Sequence, residues 1–161
     1  MTDARWYLDI DGVVSAMYPP AIAHTYLSVP VPGNGDHWIQ PKVVEFINKA
    51  SCGGVEVVWL TSWERDDVIS AFAPAAWLPE FRHLPCVSEY GVEDFDWKRK
   101  ALIADLEANP VKSVVWTDDD VTPDDIAAVK NAASRALILA PTPSAGLTSF
   151  HTTQIAEFLH L

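Results

Sequence analysis

Short apolar runs rich in β-branched and aromatic residues alternate along this chain with segments of helical periodicity, and this alternation constrains the fold most. Such an order is typical of an α/β domain with a mainly parallel sheet. The segments with strand composition are 5–11, 55–62, 84–89, 113–118 and 135–140. The second and the fourth are almost continuously apolar, as expected for strands covered by helices on both faces.

Helical patterns fill most intervals between these strands. Apolar side chains recur at helical spacing after Pro41, and Thr122 is the expected N-cap of a later helix. The predicted helices cover 42–51, 65–72, 97–108, 122–133 and 152–161. We therefore predict one domain over residues 1–161, with a Rossmann-like three-layer architecture and a mainly parallel five-stranded sheet.

Acidic and hydroxyl side chains follow three of the predicted strands. Asp9 and Asp11 end the first strand on one face, and Gly12 lets the chain turn there. Thr61 and Ser62 end the second strand. The fourth strand is followed by three acids, Asp118, Asp119 and Asp120. Because ligands of open α/β sheets bind outside the carboxyl ends of the strands, we expect these groups to converge.

The chemistry of this set favours phosphoryl transfer. Converging carboxylates suit Mg²⁺, which binds carboxylate and phosphate oxygens. One carboxylate can serve as a nucleophile while a second exchanges a proton with the leaving oxygen and with water. A hydroxyl, and the ammonium of Lys98, would hold the phosphoryl group. For the acidic pair alone, a shared proton or a solvated turn stays open.

Four segments resemble, in order, the motifs of the haloacid dehalogenase (HAD) superfamily of phosphohydrolases. LDIDGVV resembles motif I, VVWLTSW motif II and VVWTDDD the acidic motif IV, while Lys98 fits the lysine of motif III. The order and spacing agree over residues 5–140. The resemblance implies a HAD-like fold and a Mg²⁺-dependent phosphomonoester hydrolase with an aspartyl-phosphate intermediate.

Carried over residue by residue, the resemblance implies a catalytic pair. Asp9 would be the nucleophile and a Mg²⁺ ligand, and Asp11 the general acid/base, with its backbone carbonyl on the metal. Thr61 and Ser62 would bind the phosphate, and Gly12 would allow its close approach. The presence of Asp11 favours phosphatase over dehalogenase chemistry, because a leaving halide needs no proton.

The resemblance also implies the basic and the metal-binding residues. Lys98 would position the nucleophile and the phosphate, with Arg99 and Lys100 as rivals for that role. Asp118 would be a direct metal ligand, and Asp119 would support the metal through water or hydrogen bonds.

Residues 15–41 break the alternation, with five prolines and a GNG sequence. Loops of this length in compact domains are usually functional. We predict a small hairpin flap over the acidic pair, with its turn at GNG. This interval is too short for a helical cap, and the one between Thr61 and Lys98 is filled by a helix and a strand. No large cap is expected.

An open site suits a large phosphorylated substrate, such as a phosphoprotein or a nucleic-acid end. Aromatic residues near the predicted mouth would stack on a base or pack in the core; they are Tyr18, Tyr26, Trp38, Trp63 and Trp77. The loop Gly146-Leu147-Thr148 resembles one that precedes the last helix in some members of the superfamily, and its role stays open.

Composition excludes several other classes of function. A net charge of −11 argues against bulk binding of duplex DNA, which rewards clusters of lysine and arginine. No apolar run reaches the roughly 20 residues that span a bilayer. No secretory signal is visible, so a cytoplasmic location is expected. Two alternatives to an enzyme remain, a catalytically idle HAD-fold binding module and a phosphoryl-accepting regulatory domain.

Overall fold

The computed structural model describes residues 3–20, 23–90 and 94–161. The strands within these ranges are β1 (Ala4–Leu8), β2 (Ser15–Ala16), β3 (Leu27–Val31), β4 (Gly35–Ile39), β5 (Glu56–Trp59), β6 (Arg82–His83), β7 (Ser113–Thr117) and β8 (Ala136–Leu139). Five of them form the central sheet in the order β6-β5-β1-β7-β8, and every pairing in it is parallel. The predicted parallel α/β sheet is confirmed.

Helices connect the strands of the central sheet and lie against both of its faces. They are α1 (Pro41–Cys52), α2 (Arg65–Asp67), α3 (Ala73–Ala75), α4 (Val87–Tyr90), α5 (Trp97–Ala108), α6 (Pro123–Ala132) and α7 (Ser149–Leu159). A π-helical segment, Val68–Phe72, joins α2 to α3, and a short 3₁₀ segment covers Ala23–Thr25. None of the described helices is long and apolar enough to cross a membrane.

Two apolar cores separate the sheet from its helical layers. Trp6 and Leu8 of β1 share one core with buried residues of α1 and α7. Tyr7, on the opposite face of the same strand, shares the other core with buried residues of α5 and α6. Successive side chains of a strand point to opposite faces, so the apolar β1 contributes to both cores. The result is the expected three-layer architecture.

The predicted flap is a hairpin, as expected. Strands β3 and β4 pair antiparallel, and β2 adds to β4 to make a small three-stranded sheet. Gly33 and Gly35, in the GNG turn, both have a φ of +80°, which glycine adopts without a steric penalty. Ala21 and Ile22 of the predicted flap lie outside the described residues. Within the described ranges, no large cap domain interrupts the sheet.

Three element boundaries differ from the prediction. The strand predicted at 84–89 is wrong: β6 precedes it, and Pro85, which has no N–H to donate, lies between the strand and α4. The helix predicted at 65–72 continues through the π-helical segment to Ala75, and Pro74 lies within α3 near the end of this run. Helix α7 begins before 152–161, with Thr148 and His151 forming a capping box.

Candidate active site

Three carboxylates meet at the carboxyl end of the central sheet. Asp9 directly follows β1 and Asp118 directly follows β7, and these neighbouring strands end in register. Asp9 and Asp118 are 4% and 1% exposed. Together with Asp119 they offer oxygens that all lie within 4.8 Å of one another. The structure thus brings together the three acids expected to hold a metal.

Lys98, in the first turn of α5, is the basic residue that reaches this cluster. Its Nζ donates to Oδ2 of Asp9 and to Oδ2 of Asp118, each at 2.6 Å. Arg99 and Lys100, its rivals in the sequence, pair instead with acids outside the cluster. The helix register therefore selects Lys98 among the three consecutive basic residues.

Burial dominates the electrostatics of the cluster. It raises the pKa of Asp9, against the opposing effect of the Lys98 charge. Burial and the charge of Asp9 raise the pKa of Asp118 to about 6, and burial also raises the pKa of Asp119. For Lys98, burial acts to lower the pKa, but the charges of Asp9 and Asp118 outweigh it and raise the pKa.

One ammonium among three carboxylates leaves an excess of negative charge. The donors are hard oxygens in close proximity, which is the ligand type of Mg²⁺ and Ca²⁺. A divalent cation would offset the cost of burying these carboxylates, and it would relieve the repulsion that helps raise the pKa values of Asp118 and Asp119. The donor set therefore fits a metal ion.

Thr61 lies two residues beyond β5 and beside Asp9. It is 1% exposed, and its side chain lies near enough to the Asp9 carboxyl group to lower the pKa of that group. Ser62 is exposed. The structure therefore brings the Thr61 hydroxyl, rather than that of Ser62, to the carboxylate cluster.

Gly12 occupies a position that the fold leaves to glycine. Its φ is +70°, and a Cβ added there would lie 2.4 Å from Cγ of Asp119. Any other residue would strain the backbone and displace a carboxylate of the cluster. Gly12 therefore shapes the acidic site itself as well as the turn after β1.

Asp11 lies apart from the three-carboxylate cluster. It is half-buried, and its Oδ2 accepts a hydrogen bond of 2.8 Å from the indole Nε1 of Trp63. The sequence placed Trp63 near the mouth only as a stacking or packing residue. Its position two residues after Thr61, just beyond the end of β5, is the sequence signal that could have identified Trp63 as a residue of the site.

The loop Gly146-Leu147-Thr148 supports the turn that carries Asp9 and Asp11. The Leu147 N–H donates to the Val13 carbonyl at 2.7 Å, and Leu147 is buried. Gly146 has a φ of +64°, and a Cβ there would lie 2.5 Å from the same carbonyl oxygen. This loop, whose role the sequence left open, braces the turn after β1.

A family model described as the HAD domain in Swiss Army Knife RNA repair proteins matches residues 6–152. This chain belongs to that family. The matched range contains all four HAD-like motifs, so the predicted superfamily is confirmed. Membership in this HAD family supports hydrolase chemistry of the phosphatase type. No curated protein matches the chain.

Proposed function

We propose that this chain is a Mg²⁺-dependent phosphomonoester hydrolase that forms an aspartyl-phosphate on Asp9. The observation that carries the proposal is the buried Asp9 carboxylate, fixed by Lys98 and by the Ile10 N–H beside two further acids. A carboxylate held on several sides costs little reorganisation when it attacks, which is how enzymes use positioned nucleophiles.

The first step transfers the phosphoryl group to the protein. An oxygen of Asp9 attacks the phosphorus, and the bond from phosphorus to the leaving oxygen breaks. The electron pair of that bond stays on the leaving oxygen, which takes a proton from the Asp11 carboxyl group. Lys98 and the Thr61 hydroxyl orient Asp9 and offset the charge that develops on the phosphoryl oxygens.

The second step returns Asp9 to its starting state. A water molecule attacks the phosphorus of the acyl phosphate and gives a proton to Asp11, which is now a carboxylate. The bond from phosphorus to the Asp9 oxygen breaks, and inorganic phosphate leaves. Asp11 therefore acts first as an acid and then as a base.

The ligands of Mg²⁺ would be Asp9, Asp118 and Asp119, together with the backbone carbonyl of Asp11. Bound there, the ion would neutralise negative charge on the phosphoryl group during transfer. The excess of carboxylate over ammonium charge in the cluster supports this assignment.

For the substrate we propose a phosphorylated RNA end. The description of the family names RNA repair proteins. In addition, no large cap covers the site within the ranges that the structure describes. Phe95 is 96% exposed and lines a small cavity with Lys98 and Asp118. An exposed aromatic side chain close to Lys98 and Asp118 offers a stacking surface for a base.

Phosphate release from a panel of substrates tests both parts of the proposal. The panel contains RNA oligonucleotides with a 3′- or a 5′-phosphate, their DNA counterparts, phosphopeptides and small phosphate esters. We expect release from an RNA end with a kcat/KM about tenfold or more above that for phosphopeptides. Chelation should abolish release, and added Mg²⁺ should restore it.

Asp9→Asn is the control for the assignment of the nucleophile. We expect it to abolish release from every substrate, and release that survives the substitution would remove Asp9 from the mechanism. A preference for phosphopeptides would overturn the RNA assignment alone. No release from any substrate in the presence of Mg²⁺ would favour a binding module.

A further inference from the structure

We infer that Trp63 is a positioning residue for Asp11, and that His37 of the hairpin flap holds the Trp63 ring in place. The inference rests on the proposed function, in which Asp11 is the acid/base. It assigns to the flap a part in catalysis that no motif of the family indicates.

The Trp63–Asp11 hydrogen bond determines which carboxyl oxygen exchanges protons. An indole N–H only donates, and it binds Oδ2 of Asp11 at 2.8 Å. The bond therefore occupies Oδ2 and leaves Oδ1 of Asp11 available to the leaving group.

The Trp63 side chain is held in the position that this bond requires. Its ring packs edge-on against His37, at a centroid distance of 5.3 Å, and against Phe72, at 5.5 Å. The backbone carbonyl of Trp63 contacts Nε2 of His83 at 3.2 Å. A donor held by neighbouring rings and by its own backbone orients its partner with little loss of entropy.

His37 anchors this arrangement to the flap. It is buried in β4, and its Nδ1 lies 2.9 Å from the Ser15 hydroxyl oxygen. Ser15 also forms a β-bridge with Asp11. The flap thus contacts Asp11 through its backbone and, through His37 and Trp63, reaches its side chain.

The acceptor of the Trp63 indole distinguishes it from two other indoles of the fold. The N–H groups of Trp59 and Trp116 are buried and have no hydrogen-bond partner in the described part of the chain. Trp63 differs from both in that its donor meets the carboxylate assigned as the acid/base.

The test compares Trp63→Phe with the wild type on two substrates. One is an alkyl phosphate, whose leaving oxygen needs a proton, and the other is a nitrophenyl phosphate, whose leaving oxygen does not. We expect kcat/KM for the alkyl ester to fall about tenfold or more, and that for the aryl ester to fall less than about threefold. The ratio of the two values is independent of the fraction of folded protein.

Trp59→Phe is the matched control. Trp59 also packs on Phe72, at a centroid distance of 6.0 Å, but its indole N–H has no partner in the described ranges. It should lower both kcat/KM values by the same factor. An equal loss on both substrates for Trp63→Phe, or no loss, would overturn the inference. A wild type inactive on both esters and on every substrate of the phosphate panel would instead overturn the proposed function.

A second measurement needs no substitution at Trp63. The chain has seven tryptophans, whose indole N–H signals are resolved by NMR. We expect Asp11→Ala to shift the Trp63 signal more than the other six. If the Trp63 signal does not move, the bond and the positioning role are both excluded.

Discussion

The central sheet carries an ion cluster at each end. The pKa values of the carboxyl groups are raised in one cluster and lowered in the other. At the carboxyl end, burial raises the pKa values of Asp9 and Asp118. At the amino end, hydrogen bonds from arginines lower the pKa values of Glu56 and Asp105 despite partial burial. The difference lies in the balance of charges around the acids.

The amino-end cluster is balanced. Arg5 bonds to Glu56 at 2.7 Å and to Asp105 at 3.1 Å, and Arg82 bonds to the same two acids at 2.8–2.9 Å. Tyr7 adds a hydroxyl donor to Asp105 at 2.8 Å. Two acids face two guanidinium groups, so each carboxylate is paired and satisfied. Such a network ties β1, β5, β6 and α5 together.

One helix serves both clusters. Lys98 and Asp105 are seven residues apart on α5, so they share a face and lie about 10 Å apart along its axis. The same helix thus delivers a cation to the carboxyl end and an anion to the amino end. We infer that the balanced end contributes stability, while the unbalanced end contributes reactivity and a place for a metal.

The largest expected effect comes from a substitution in the cluster at the carboxyl end of the sheet. Asp9→Asn should lower phosphatase activity about a thousandfold or more, because the nucleophile is lost. The unfolding free energy of the metal-free protein should hold or rise, because a carboxylate with a raised pKa is removed. Turnover assays and chemical denaturation in EDTA check both. A large loss of stability would contradict the contrast between the two ends.

The next largest effect is expected from a substitution in the cluster at the amino end of the sheet. Asp105→Ala removes one of the two acids that Arg5 and Arg82 share, and loss of one partner of the buried Arg5–Asp105 pair costs about 3 kcal/mol. Denaturant unfolding measures the loss. Activity per folded molecule should stay within about twofold of the wild type, since Asp105 contacts none of the site residues assigned above. A selective loss of kcat would show that the two ends are coupled.

A third prediction concerns the choice among the basic residues of α5. Lys98→Met should lower activity about a hundredfold, because the nucleophile loses its ammonium partner. Lys100→Met is the matched control, since Lys100 pairs with Asp94 away from the cluster and should change activity less than about twofold. Equal losses of activity in the two variants would contradict the assignment of Lys98 as the basic residue of the site.

The smallest effect is a difference in pH dependence between the two ends. Asp118 has a pKa of about 6 in the folded state, above the unfolded value of about 3.9. The folded state therefore binds the extra proton. As the pH falls from 7 towards about 4, the wild type should gain about 2 kcal/mol in unfolding free energy relative to Asp118→Asn.

At the amino end the sign is the opposite. The pKa of Asp105 is lowered, so its stabilisation is present above about pH 4 and is lost as the pH falls below that. Urea unfolding in EDTA from pH 7 down to about pH 3, with Asp105→Asn as the second variant, measures both trends. If the unfolding free energies of the two variants changed with pH in the same way, the opposite pKa shifts of the two clusters would be contradicted.

The ends of the strands were predictable from the sequence because apolar strands stop where polar side chains begin. Asp9, Thr61 and Asp118 follow directly or closely after β1, β5 and β7, and parallel pairing brings them together. The predicted fold is confirmed by the sheet and by the family match. The catalytic roles of these residues stay predictions.

The contacts that the sequence did not indicate depend on side-chain partners distant in the chain. The Trp63–Asp11 bond spans 52 residues and requires the turn after β5 to face the turn after β1. The Arg5–Asp105 pair spans 100 residues and depends on the register of α5 along the sheet. The edge strand β6 is only two residues long, which is too short for a periodic signal.

Mass spectrometry of the phospho-enzyme tests the role of Asp9 most directly. The protein is mixed with substrate and Mg²⁺, quenched in acid and digested, and the peptide that contains Asp9 is examined. We predict a phosphoryl adduct on Asp9 that is absent from Asp9→Asn and accumulates in Asp11→Asn, where the second step is slowed. Turnover with no adduct on Asp9, or with an adduct on another residue, would contradict an aspartyl-phosphate mechanism at this site.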